Sequence, residues 1–428
     1  MININFSQVN LEKGEEKVTG KAGLAWFHAG ITHFGATKII DQIFPLAKSN
    51  SAYRASEKLL PMILTFVGGG NKIEDIEVMR KEKELFSLCG IKNICCADTI
   101  RNMLLDNKTE ACLQKTLDTI SLKAFIKSTP EEYTFDVDWT DIEAEKDSAE
   151  YSYKKTKGYG ILLGSIPELD LVITNDFRPG NIHPGVGIAG QIRKTYFLIS
   201  KAGKKLTSVR CDSAGHSKEV MNTCEGLKIK YYISMDQNNA VKEAIGAIPK
   251  KSWKKLKDNP DQEWAETLYP MAGLVPDRAV RIMVLRWKNP DRTLFDSTPY
   301  CYHVIGTNDL EIENEAWLKF HNGRMGSENY HKELKHGFGL EHCPSHSILM
   351  NRNFFLVGLL AYNLFQVFKK FYLEEDYHPW SIRTFRWHFV SICGKLIYHA
   401  KKYVYRLLNV TDKTFEMFRN IQQKLCFS

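Results

Sequence analysis

Tyr133-Thr134-Phe135-Asp136-Val137-Asp138-Trp139-Thr140-Asp141-Ile142 is a β-branched and aromatic run that begins just after Pro130. In an extended chain successive side chains point to opposite faces, so Phe135, Val137 and Trp139 share one side and Asp136, Asp138 and Thr140 the other. Aspartate is disfavoured in strands. Two on one face of an otherwise apolar strand point to something bound there, and a cation is the natural candidate. A lone pair of this kind also fits a solvated outer face.

Downstream, the two-residue period recurs at 160–166, 169–174, 206–211 and 229–235. Helical patterns at 186–201 and 218–227 separate the last three runs. Three strands close in sequence, then helix, strand, helix, strand, is the element order of a ribonuclease-H-like α/β domain. Upstream, residues 24–126 are patterned as helices, broken at Gly68-Gly69-Gly70. An amphipathic stretch at 73–88 ends before Gly90, and a second helix is expected to open near Asp98-Thr99. This pair fits a helix-turn-helix reader of DNA and fits an ordinary helical bundle as well.

Residues 236–316 have a different texture, with lysine-rich loops, Pro260, Pro270, Pro276, Pro290 and Pro299, and strand-like runs at 280–287 and 300–306. We therefore expect five regions: a helical N-terminal region at 1–127, a catalytic α/β domain at 128–235, a β-rich insertion at 236–316, a second catalytic part at 317–375 and a helical C-terminal region at 376–428.

The chain has 428 residues, 43% of them hydrophobic and 25% charged, enough for a large core and more than one domain. A net charge of +8 favours a polyanionic partner, nucleic acid ahead of a membrane surface. Ten scattered cysteines form no C-x-x-C pair, which suits reduced thiols in a cytosol. The polar, acidic stretch at 1–16 lacks the basic end and apolar run of an export signal. The apolar stretch 354–368 contains Asn363 and Gln366, falls short of a bilayer span and reads as a buried core helix. We expect a cytoplasmic protein with no membrane partner, associated with the nucleoid when bound to DNA.

Two more acids stand out. Asp212 follows the run 206–211 and precedes a helix, at the C-terminal end of a strand where α/β sheets place ligand-binding groups. Helix capping would explain it too. Glu328 lies within His321, Arg324, Glu328, His331 and Lys335, whose alternating spacing of three and four makes one polar stripe on a helix. A salt-bridged, solvated helix face would show the same spacing.

Asp138, Asp212 and Glu328 together make sense as ligands of two divalent cations that activate a nucleophile and stabilise a leaving oxygen in displacement at phosphorus. Oxygen ligands suit Mg²⁺ or Mn²⁺ and not zinc. Clustered carboxylates without metal would repel, raise one another's pKa and bind metal better as pH rises. Asp136 is an accessory candidate, and Arg324 and Lys335 are placed to hold phosphates.

These segments resemble the bacterial insertion-sequence transposases, in particular the family numbered 1380 within the family-4-like group. The D-x-D-x-T block is similar to Asp136-Val137-Asp138-Trp139-Thr140, and the Asp-Ser block to Asp212-Ser213. The Tyr, Arg, Glu, Lys signature reads His321, Arg324, Glu328, Lys335, with His321 in the place of Tyr. Further similarity lies in Lys335-His336-Gly337-Phe338-Gly339, in Asn351-Arg352-Asn353-Phe354-Phe355 and in the region 68–80. The resemblance implies a ribonuclease-H-like catalytic domain with a β-rich insertion. It also implies catalytic Asp138, Asp212 and Glu328, action on double-stranded DNA with terminal inverted repeats and on target DNA, and a homodimer in the DNA complex. The competing expectations are an inactive or domesticated DNA-binding protein of the same fold and a structure-selective nuclease.

Lys250, Lys251, Trp253, Lys254, Lys255 and Lys257 combine phosphate-neutralising charge with an indole able to stack on a flipped base; a solvated basic loop is the alternative. Trp264 and Trp287 are other stackers, Trp287 lying in a strand that suits core. Arg383, Arg386, Lys395, Lys401, Lys402 and Arg406 are expected either to contact DNA, to form a dimer surface or to sit on a plain amphipathic helix.

Overall fold

A computed structural model describes residues 12–14, 16–46, 52–152, 154–275, 279–291, 298–399 and 402–426. Pro276, Lys401 and most of the opening stretch lie outside them.

The N-terminal region is helical as expected: α1 (Ala22–Phe34), α2 (Ala36–Ile43), α3 (Ala55–Val67), α4 (Asp75–Met79), α5 (Lys83–Leu88), α6 (Ala97–Leu104) and α7 (Thr109–Lys127). The stretch 73–88 is not one helix but two short ones. Ile73, Ile76 and Met79 are buried from the first piece, and Leu85 and Phe86 from the second, so the break lets both face the core. Glu77 then caps the start of α6, its Oε1 accepting from the Ala97 N–H at 2.8 Å.

The sheet follows with β1 (Glu132–Glu143), β2 (Glu150–Tyr151), β3 (Lys157–Ile166), β4 (Leu171–Pro179), α8 (Ile188–Lys201), β5 (Lys205–Cys211), α9 (Lys218–Leu227) and β6 (Lys230–Ser234). Both expected helices and all five expected strands are present. β1, β3 and β4 form an antiparallel meander, while β5 pairs parallel to β1 and β6 parallel to β5. A Cβ at Gly160 would overlap the Trp139 ring, which lies across β3.

After α10 (Asn239–Gly246) come β7 (Lys254–Lys255), β8 (Gln262–Pro270), β9 (Ala279–Lys288) and β10 (Tyr300–Thr307). These strands extend the same sheet, because β10 pairs antiparallel to β6. The result is a mixed α/β protein with a ten-stranded sheet ordered β2-β3-β1-β5-β6-β10-β9-β8-β7, with β4 on β3.

The chain then continues through α11 (Asn314–Asn322), α12 (Ser327–Lys332) and α13 (Ile348–Tyr372). By length and composition α13 would cross a membrane, longer than the stretch read from the sequence, yet 83% of its most apolar window is buried inside the protein. Several of its polar side chains bond to backbone elsewhere in the fold. Asn363 accepts from the Val172 N–H at 3.1 Å and donates to the Val172 carbonyl at 2.7 Å. Asn353 donates to Leu104 O at 2.8 Å, and Arg352 Nε donates to Phe177 O at 2.9 Å. The Asn351-Arg352-Asn353 segment thus ties α13 to the sheet and to the N-terminal helices.

The C-terminal region departs from the helical expectation. Between α14 (Ile382–Phe385) and α15 (Asp412–Cys426) stands an antiparallel hairpin, β11 (Cys393–His399) and β12 (Lys402–Leu408). Its β-branched and aromatic alternation, Ile397, Tyr403, Val404 and Tyr405, prevails over a helical reading. One apolar cluster runs from Ala22 to Ile421 through all these regions, with a smaller one around Tyr232, Leu285, Ile305 and Trp317.

Candidate active site

Parallel pairing places three acids where β5 and β6 end beside the middle of β1. The last β1–β5 register pair is Val137 with Cys211, so Asp138 and Asp212 emerge side by side. β6 runs parallel beside β5, with Cys211 opposite Ile233, and Asp236 follows it at the same end. Loops beyond such strand ends are where α/β sheets bind ligands. A cavity of about 560 Å³ opens there, lined by Trp139, Lys154, His183, Asp212 and Asp236 among others.

The Asp212 carboxyl is held above the ordinary aspartate value, first by burial and next by the Asp138 charge. Its Oδ1 also accepts from the Ala214 N–H at 3.0 Å, so the capping role and the site role coexist. Asp138 Oδ2 accepts from the Ser327 hydroxyl at 2.7 Å. Arg324 Nη1 lies 3.4 Å and His331 Nδ1 3.9 Å from the same oxygen. Arg324 Nε is buried without a hydrogen-bond partner.

The stripe inferred from spacing does not survive intact. α11 ends at Asn322, a 3₁₀ turn spans Gly323–Gly326, α12 covers Ser327–Lys332, and a π turn follows over Glu333–Gly337. A 3₁₀ turn closes in three residues instead of 3.6. It therefore aligns Ser327, not Glu328, with Arg324, and Glu328 is exposed. Among the described residues no group of three His, Cys, Asp or Glu side chains is arranged to hold a metal ion. The structure brings Asp138 and Asp212 together and leaves Glu328 on the neighbouring helix.

Two other candidates lie inside the fold. Asp136 is 1% exposed, and Arg210 Nε and Nη2 donate to its two oxygens at 2.6 and 2.7 Å. Arg210 Nη1 also donates to the Phe320 carbonyl at 2.7 Å, and a Cβ at Gly323 would overlap the guanidinium. The pair thus clamps the end of α11 at the start of the 3₁₀ turn. His321 is buried against β6, Nε2 being 3.0 Å from Ser234 Oγ, and burial pushes its pKa down to about 3. A neutral, enclosed imidazole has no free edge for phosphate.

Lys335 Nζ donates to the Asp141 carbonyl at 2.6 Å, and burial lowers its pKa. Lys250, Lys251, Lys254 and Lys255 are exposed. Trp253 is half-buried with the Arg286 guanidinium 3.8 Å over its ring, so that face is already covered. Lys254 lies over Trp264 at 5.4 Å, and Trp287 is half-buried.

Sequence reasoning missed Ser327, Arg210 and Asp236. Asp236 carried the same signal as Asp212, an acid just past an apolar strand. Arg210 sat in a strand already assigned, and its role became visible only with the β1–β5 register.

A protein-family profile described as transposase DDE domain group 1 matches residues 3–426. No curated protein matches the chain. Among solved structures, the piggyBac transposase synaptic complex with hairpin DNA, from cryo-electron microscopy, is similar at 12% identity. The match covers 82% of this chain and 75% of that one with a TM-score of 0.42, too distant a likeness to argue from.

Proposed function

The chain belongs to the DDE-domain transposases of group 1, and from that premise we propose that it cleaves DNA and transfers strands at the terminal inverted repeats of a mobile element. In this reading the fold is a ribonuclease-H-like catalytic domain with a β-rich extension, and the element is an insertion sequence of the family numbered 1380. Asp138, Asp212 and Glu328 are the catalytic carboxylates, and the protein works as a homodimer on DNA. One juxtaposition supports it: Asp138, within β1, and Asp212, just past the end of the parallel strand β5, adjoin each other beside the turn that carries Arg324 and Ser327.

The donor set suits Mg²⁺ or Mn²⁺, since two neighbouring carboxylates offer oxygen ligands and Asp212 already responds to the Asp138 charge. Asp138 and Asp212 would hold such ions, with Glu328 from the adjacent helix. When bound, they supply charge stabilisation at phosphoryl oxygens and activation of a hydroxyl nucleophile. The protein's own groups orient the rest. Ser327 fixes the Asp138 carboxylate, Arg324 brings its guanidinium charge beside that carboxylate, and the Asp136–Arg210 pair holds the turn in register.

The test uses the full chain with a duplex ending in the element's inverted repeats. We expect cutting that requires Mg²⁺ or Mn²⁺ and is lost in Asp138→Asn, Asp212→Asn and Glu328→Gln. Full cleavage by any one variant removes that residue from the mechanism. The exposed Glu328 favours one other reading, a DNA-binding protein of this fold without chemistry; binding of repeat ends without cutting by metal-loaded protein would establish it. Cutting that ignores the repeats would indicate a structure-selective nuclease.

A further inference from the structure

The hairpin β11–β12 stands apart from the acidic site. Its register sets Lys395 opposite Arg406, Ile397 opposite Val404 and His399 opposite Lys402, all on one face. The other face carries Leu396 opposite Tyr405 and Tyr398 opposite Tyr403. Tyr405 turns inward: its hydroxyl donates to the Ala22 carbonyl at 2.7 Å, and its ring meets Trp26 edge-on at 5.7 Å. The basic residues therefore line the face turned away from Ala22 and Trp26, where His399, Lys402, Val404 and Arg406 are exposed; Tyr398 and Tyr403, near the tip on the other face, are exposed too.

Like charges directly opposite one another destabilise an antiparallel pair, and this hairpin sets Lys395 opposite Arg406. Nothing local relieves it. No acidic residue stands between Asp376 and Asp412, and among the described residues Lys395, Lys402 and Arg406 form no ion pair. Glu82, the carboxylate tied to the hairpin's base, accepts from the Thr19 hydroxyl, and Thr19 pairs with Gly394. A second copy of a chain carrying +8 is a poor counterpart for such a face. A polyanion is a good one.

We propose that this face docks on duplex DNA along its phosphate backbone, with Lys395 and Arg406 on one phosphate group and Lys402 on another. The two pairs stand about 13 Å apart at ~3.3 Å per residue, far enough to meet separate phosphates. Ile397 and Val404 offer no hydrogen bond to a base edge, so the contact is independent of sequence. The proposal rests on the chain being DNA-acting, and it requires no chemistry at Asp138.

The experiment measures binding of the full chain to a duplex of arbitrary sequence as salt rises from about 50 to about 200 mM, where log affinity falls by about 0.9 per phosphate neutralised. We expect Lys395→Ala/Lys402→Ala/Arg406→Ala to flatten that slope by about 2. Lys395→Arg/Lys402→Arg should keep it, which separates charge from loss of fold. The slope is read without metal and without cleavage, so failure of the catalytic reading leaves this one standing. An unchanged slope in the triple alanine variant overturns the proposal. So does a change confined to self-association in sedimentation, or retention by anionic vesicles alone.

Discussion

Two carboxylates on one face of β1, Asp136 and Asp138, meet opposite surroundings. Asp136 is the register partner of Arg210 on β5 and is sealed against it. β5 stops at Cys211, opposite Val137, so Asp138 has no cross-strand neighbour on that side and faces the turn that bears Arg324 and Ser327. Two positions along a strand separate a group spent on holding the fold from one available to a ligand. What distinguishes them is where the adjacent strand ends.

The comparison breaks first on chemistry. Asp138→Asn and Asp212→Asn should lower single-turnover cleavage of repeat-end DNA by about 10³-fold or more, about 4 kcal/mol in barrier, with the folded structure retained. If Asp136→Asn abolished cleavage in a folded protein while Asp138→Asn did not, the roles would be reversed. Stability comes next. Arg210→Met leaves a buried carboxylate without its partner and should cost about 3–5 kcal/mol in denaturant unfolding, whereas Asp136→Leu combined with Arg210→Met should recover most of that loss.

A finer probe is Gly323→Ala, whose methyl would overlap the Arg210 guanidinium. Overpacking of this kind costs about 1–3 kcal/mol, and cleavage should fall further than stability because the displaced turn carries Arg324. The smallest effect is a pH dependence. Folding raises the Asp212 pKa through burial and then the Asp138 charge, so its protonated form is favoured in the folded state. That stabilisation is complete below the unfolded value of about 3.9 and is lost as pH rises through the folded value. Asp212→Asn should therefore melt higher than the native protein at neutral pH. The gain should vanish on acidification, and a gain unchanged at low pH would mean the carboxylate's charge is not its cause.

Much of this was legible in the residues. The strand at 133–142 is Glu132–Glu143, and the helix at 218–227 is Lys218–Leu227, because two-residue alternation and the Ser217 cap are local signals. Asp138 and Asp212 were found by their position on or just past a strand. The C-terminal hairpin was missed because its cationic residues recur at intervals that suit a helix as well as a strand. The Glu328 stripe was overread because a 3₁₀ turn, set by how Gly323 packs on Arg210, leaves no periodic trace.

By itself, then, the sequence determined the strand and helix order between 133 and 235, the acids on or just past strands and the transposase class, since these depend on alternation, capping and motif spacing within short windows. Only the tertiary structure decided which acid is sealed against Arg210 and which stands beside the turn of Arg324 and Ser327, and which side of the helix meets Asp138. Those outcomes depend on the parallel register of β1 with β5 and on one tight turn, contacts between residues far apart in the chain that no local pattern encodes.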